Sequence, residues 1–280
     1  MLPACVKPQR RSPMGIVAAI ASRYAVAAEP VHYDLDRTSW QALSVESLAA
    51  VTAYGGAWLV SRVPRETCSQ CNSNSFDESV CAVLRANNPR TVGFLSHGVS
   101  VGAVPVLALT GLIVPAYRDR QFHRGLEDTW IVANTFLLTT AIGDMTKHWV
   151  ARERPAFHHG VQAQTEMRNY PDERNKSFFS LDTAWAFAIA SSATTLSYLH
   201  GYSSTKYVAI GSGFLAATAG TLRIVGDAHW ATDVLTGAAV GTAIGIAVPV
   251  LLHPRQSNPQ GAAASSALER STGFSLALTF

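Results

Sequence analysis

Three short stretches concentrate the residue types that can do acid, base or anion chemistry: KHWVARERP from Lys147, SFFSLDTAWAF from Ser177, and RIVGDAHWATD from Arg223. In the first, six residues separate Lys147 from Arg154, and Pro155 then stops a helix. A helix end plus a turn would let both cations converge on one anion. In the second, Ser180 precedes an apolar run, so its hydroxyl would cap a helix whose first-turn N–H groups form an anion site. Asp182 stands in that first turn, where it either favours the helix dipole or occupies a catalytic position. In the third, Arg223, His229 and Asp233 have five and three intervening residues. A helical segment would put His229 and Asp233 on one face. The carboxylate would then fix the imidazole tautomer and leave the other nitrogen free to attack. Taken singly, these are a surface His/Asp pair, interfacial anchors and a helix start. Together, three cations, a helix N-terminus and an oriented imidazole describe a phosphate site with a nucleophile.

The elements that must position these groups are helices. No Asp, Glu, Lys or Arg occurs between Thr91 and Tyr117, a run longer than the roughly 20 residues that cross a bilayer. Apolar blocks follow at about Trp130 to Thr146, Thr183 to Leu199, Tyr207 to Leu222 and Val234 to Leu252, and Leu48 to Val60 is a weaker sixth. They are rich in Ala, Gly, Ser and Thr, which let helices approach closely in a membrane. The expected fold is all-α, a bundle of about five or six core helices embedded in a membrane. Several blocks are short for a full crossing, so buried helices of a soluble all-α protein are the alternative. The chain divides into a signal or tail over 1–28, an extension over 29–90, a helical core over 91–252 and a tail over 253–280. The end of that tail, GFSLALTF, alternates apolar residues as a strand would.

Composition agrees with a membrane setting: 15% of the 280 residues are charged, against about 25% in soluble domains, and 48% are apolar. A formal charge of +3 with no long Lys/Arg run gives no support to a nucleic-acid partner. Cys68, Cys71 and Cys81 fall close together without a His/Cys pair at zinc-finger spacing, so a disulfide in an oxidising compartment outranks a metal site. The first 28 residues carry Lys7, Arg10 and Arg11, an apolar patch interrupted by Arg23, and a small-residue run. They read equally as a cleaved secretory signal or as a tail. If the first strong span runs inward, the loop Arg118 to Asp128 is cytoplasmic. The cysteine segment, the loop from Lys147 to Ser180 and the turn from Arg223 to Asp233 then share the outer side. The outer loop holds Lys147, Arg152, Arg154, Arg168, Arg174 and Lys176, against the positive-inside preference, so these cations need another reason to be there.

The order Lys-x6-Arg-Pro, then Ser before a helix, then Arg-x5-His-x3-Asp resembles the three-part signature of the type 2 phosphatidic acid phosphatase superfamily, which includes bacterial acid phosphatases and vanadium haloperoxidases. The resemblance implies an α-helical bundle, no cofactor or metal, and hydrolysis of a lipid phosphate or pyrophosphate at a bacterial inner membrane, with the site facing the periplasm. It implies that Lys147, Arg154, Arg223 and Ser180 hold the phosphoryl oxygens, that His229 becomes a phosphohistidine, and that Asp233 orients it. The second motif departs from the family, whose Pro-Ser-Gly-His is here Phe179, Ser180, Leu181 and Asp182. The histidine would be the general acid, and the glycine would let the backbone approach phosphate. Asp182 among three cations is expected to be ionised, and a carboxylate about 4 Å from a phosphate oxygen repels it by roughly 4 kcal/mol at an effective dielectric near 20. His148, His158 or His159 in the outer loop could supply the proton instead, or an acidic leaving group could depart without one. The alternatives are a homologue that binds phosphate or lipid phosphate with reduced turnover, and a soluble exported acid phosphatase or vanadate-dependent haloperoxidase.

Overall fold

Apolar runs with closely spaced small residues become long helices here. A computed structural model describes residues 40–61, 63, 68–158 and 160–253. The expectations for the N-terminal signal and the C-terminal tail lie outside the described residues. Helix α1 is Trp40–Ser61, α2 is Ser75–Leu84 and α3 is Pro89–Gly98. A π-helical turn, Val99–Ala103, joins α3 to α4, Val104–Arg118, so that the first apolar run forms one continuous helical rod. Then come α5 (Phe122–Val150), α6 (Gly160–Asn169), α7 (Leu181–Leu199), α8 (Thr205–Val225) and α9 (Ala231–Leu252). Among the described residues there is no strand, and the fold is all-α.

Among the described residues, four segments are long and apolar enough to cross a membrane: Leu43–Ser61, Pro89–Arg118, Thr205–Val225 and Ala231–Leu252. Their outward faces expose Leu48, Val106, Ile210, Phe214 and Leu251, while Thr135 and Thr139 of α5 and Ser192 and Ser197 of α7 are buried. The two threonines return their hydrogen bonds to their own helix, as Thr135 Oγ1 does to Ile131 O at 2.8 Å, and Ser197 pairs with Thr205 Oγ1 at 2.9 Å, so these hydroxyls cost little inside the bundle.

Helix α7 is the hub, touching α9, α8, α5 and α4, and its seam with α9 is the tightest. Gly237, Gly241 and Gly245 of α9 face Ser180, just before α7, and Ala184 and Ala188 within it, at intervals of four residues. A Cβ on Gly237 would lie 2.5 Å from the Ser180 carbonyl oxygen, and one on Gly241 would overlap the Ala184 backbone. With no side chain between the backbones, the N-termini of α7 and α9 are locked side by side. The second motif runs into the first of those N-termini and the third into the other.

The candidate active site

Helix α5 ends where Ala151 takes a left-handed conformation (φ 43°, ψ 49°) and its N–H closes on Lys147 O. The break leaves Lys147 on the last turn and sends the next residues back toward the bundle. Arg152 enters the interior, 6% exposed, and donates from Nη1 to Asp233 Oδ1 (2.5 Å) and from Nη2 to Asp77 Oδ2 (2.7 Å). Asp77 belongs to α2 and also accepts from Thr232 N–H at 2.9 Å. The cysteine-bearing extension therefore braces the start of α9 from behind.

Helix α9 begins at Ala231, two residues beyond His229, so His229 and Asp233 do not share a helical turn. Asp233 caps its own helix, accepting from Trp230 N–H at 3.0 Å, and its carboxylate stands 3.9 Å from His229 Nδ1. That distance is too long for the expected direct hydrogen bond. Ser177 bridges the two: its hydroxyl donates to Asp233 Oδ2 (2.5 Å), and its carbonyl oxygen accepts from His229 Nδ1 (2.7 Å). The tautomer outcome is the one expected, with Nδ1 carrying the proton and Nε2 holding the lone pair, but Asp233 acts through Ser177. His229 is 1% exposed. Burial holds its pKa well below the ordinary imidazole value, and the cations Arg223, Arg154 and Lys147 push it further down. The imidazole is thus neutral near neutral pH, as a nucleophile must be.

Those same three cations come from three elements. Arg154 Nη2 donates to Glu173 Oε2 at 2.8 Å, and Arg223 Nη2 lies 3.3 Å from Asp182 Oδ2. The Nε–H donors of Arg154 and Arg223 are buried and have no partner among the described residues. Lys147 makes no ion pair within 4.0 Å among them. Arg154, Glu173, Asp182, Arg223 and Ala228 line a cleft of about 430 Å³, and Ala228 immediately precedes His229. Glu173 is pushed up by burial, but Arg154 and Lys176 outweigh this and hold it below the usual carboxylate range.

The second motif looks different in three dimensions. Ser180 is fully buried, and its hydroxyl pairs with Thr183 Oγ1 at 2.9 Å without capping α7. Leu181 does not obstruct the cleft: its side chain turns into an apolar cluster with Phe179 and Ala184, into the space that Gly143 of α5 leaves by lacking a Cβ. Asp182 is 8% exposed and is held from two sides, by Arg223 and by His97, whose Nδ1 lies 2.6 Å from Asp182 Oδ1.

All seven residues singled out from the sequence, Lys147, Arg154, Ser180, Asp182, Arg223, His229 and Asp233, thus gather at one end of the bundle. Sequence reasoning missed Ser177, Arg152, Asp77 and His97 as parts of it. Of the histidines considered in the outer loop, His158 is committed to Glu153 at 3.1 Å, His148 packs on the Trp149 ring, and His159 lies outside the described residues. The cysteine pairing, open from sequence, is Cys68 with Cys71, and Cys81 donates from its thiol to Asp227 Oδ1 at 3.4 Å.

A helical bundle with three cations around a buried imidazole, whose Nε2 holds the lone pair, has the make-up to bind an anion beside a ring nitrogen. Residues 128–257, which contain every one of the seven, match the profile of the PAP2 superfamily. That segment is a PAP2-superfamily domain, as the three motifs imply. Among solved structures, the crystal structure of LpxE from Aquifex aeolicus is similar, with 20% identity, a TM-score of 0.45, and coverage of 65% of this chain and 98% of that one. No curated protein matches the chain.

Proposed function

We propose that the chain is a membrane phosphatase that hydrolyses a lipid phosphate or pyrophosphate through a phosphohistidine on His229, independent of metal. One observation carries this reading: the unpartnered Nε–H donors of Arg154 and Arg223 sit around a buried neutral imidazole whose Nδ1 is already committed. Unsatisfied buried guanidinium donors are costly, and a phosphoryl group satisfies them with charge-assisted bonds. In the reaction, the His229 Nε2 lone pair would attack phosphorus while Lys147, Arg154 and Arg223 neutralise the equatorial oxygens, and water would then release phosphate from nitrogen. Lipid is favoured over a soluble substrate because four helices are long and apolar enough to span a membrane and the cleft opens at their ends.

The orientation belongs to the same proposal. The Cys68–Cys71 segment hydrogen-bonds on both sides of Arg152, through Ser69 N–H to Ala151 O (3.2 Å) and Glu153 N–H to Gln70 O (3.3 Å). A disulfide on the site's own face supports an oxidising compartment for that face, which for a bacterial inner membrane would be the periplasm. Purified protein in detergent should release phosphate from phosphatidate or a prenyl diphosphate, and His229→Ala should abolish it. Turnover unchanged in that variant would reject the phosphohistidine. Phosphate binding without wild-type turnover would leave the chain as a binding homologue.

A further inference from the structure

We propose that His97 is the proton donor to the leaving group and that Asp182 positions it, an inference that rests on the phosphatase reading above. Attack by His229 on an alkyl phosphate expels an alkoxide, which needs a proton as the bond to phosphorus breaks. The cleft offers few candidates. Glu173 is engaged by Arg154 and Lys176, Glu166 by Arg90 at 2.7 Å, Asp227 by Arg85 at 2.8 Å and by Cys81, and Asp182 by Arg223 and His97 itself. Tyr170 lies under the Arg90 guanidinium at 4.7 Å. The His97 side chain is 52% exposed into the cleft, and its Nε2 has no partner among the described residues.

The position of His97 is built. It stands on α3, which is pressed onto α8 where Ser96 Oγ donates to Ala219 O at 2.8 Å and where Gly226 comes close: a Cβ there would lie 2.9 Å from Gly93 N. The Trp185 ring, one turn beyond Asp182 on α7, flanks the imidazole at 6.3 Å between centroids. Asp182 accepts from Nδ1–H, so the second nitrogen is the one turned to the cleft. Asp182 and Arg223 stand beside the imidazole from α7 and α8, and Arg154 and Glu173 line the same cleft. An imidazolium there donates from Nε2, which the ionised Asp182 cannot do.

The steps balance. As the His229 Nε2 lone pair bonds to phosphorus, the P–O electron pair leaves on the departing oxygen, which takes the proton from Nε2 of His97. A water then bonds to phosphorus through its oxygen and gives a proton to the neutral His97 Nε2. The P–N bond breaks, and its electron pair returns to His229.

The test is leaving-group dependence. Dioctanoyl phosphatidate expels an alkoxide and needs the proton; p-nitrophenyl phosphate expels a stabilised phenolate and does not. His97→Gln should lose about a hundredfold or more in kcat on phosphatidate, within the range of general acid catalysis, and less than about tenfold on p-nitrophenyl phosphate. Asp182→Asn should show the same selectivity with a smaller loss, where a merely structural role would lower both substrates alike. Asp182→His should lower phosphatidate turnover. Equal losses on both substrates, or a gain from Asp182→His, would overturn the role of His97 while leaving the phosphatase reading standing. A wild type inert on both substrates would overturn both.

Discussion

Ser177 carries two bonds that the short motifs assign to one pair of residues: its carbonyl oxygen accepts from His229 Nδ1, and its hydroxyl donates to Asp233. A backbone carbonyl has no side-chain signature, and its value appears only when the loop before α7 is laid against the loop before α9. The cations are legible because three charged residues at fixed spacings have few bland explanations together. Their state in the absence of substrate is not, because the acids that engage them come from elsewhere: Glu173 from a turn after α6 and Asp182 from α7. These carboxylates occupy donors that phosphate would use, so binding must displace them. Glu173 is the better test, being 44% exposed and taking no part in the hydrogen bond between His97 and Asp182. A half-exposed pair of this kind is worth about 0.3–1 kcal/mol, so Glu173→Gln should tighten competitive inhibition by inorganic phosphate about two- to fivefold. Weaker inhibition in that variant would mean that Glu173 positions Arg154 and does not compete for it.

The helices were visible as apolar blocks, and each is longer in the structure than the block that announced it: Trp130 to Thr146 extends to Phe122–Val150, and Leu48 to Val60 to Trp40–Ser61. The ends were hidden because polar first and last turns carry the chemistry. Lys147 is in the last turn of α5, Asp182 in the first turn of α7, and Asp233 in the first turn of α9. His97 stayed invisible for a related reason. It is the single histidine in an uncharged run, and only the close approach of α3 to α8 brings it to Asp182. The α7–α9 seam sets the register of this whole assembly, and Ser180 N–H donates to Asp233 O at 3.1 Å across its top. Gly241→Val would force the two backbones apart in mid-seam, far in sequence from every charged group. Overpacking of this kind costs about 1–3 kcal/mol. The expected result is a lower apparent Tm in detergent together with a loss of kcat. An unchanged Tm and kcat would show that the glycine contact does not hold the site's register.

At the scale of the whole molecule, the basic outer loop runs against the positive-inside preference, and four of its six cations have a structural use as ion-pair partners. Arg152 is neutralised by Asp77 and Asp233, Arg174 by Glu153 at 2.6 Å, Arg154 and Lys176 by Glu173. The opposite end carries Arg118, Arg120 and Arg124 around the short connection between α4 and α5, which suits a cytoplasmic face. Two independent features therefore give the proposed topology the same sense: a disulfide at one end, a compact basic turn at the other. Topology is testable without any substrate. In intact cells treated with a membrane-impermeant reductant, Cys68 and Cys71 should become reactive to an impermeant maleimide. A cysteine placed at Arg120 should stay unlabelled until the membrane is permeabilised. Labelling at Arg120 in intact cells, with Cys68 and Cys71 protected, would invert the protein and put the phosphate cleft in the cytoplasm. The reduced protein should also lose stability locally, because the segment closed by the disulfide donates and accepts on either side of Arg152, the residue that fixes Asp233. Reduction is thus expected to lower kcat more than it raises KM, since it loosens the support behind His229 and leaves the cations of the cleft in place.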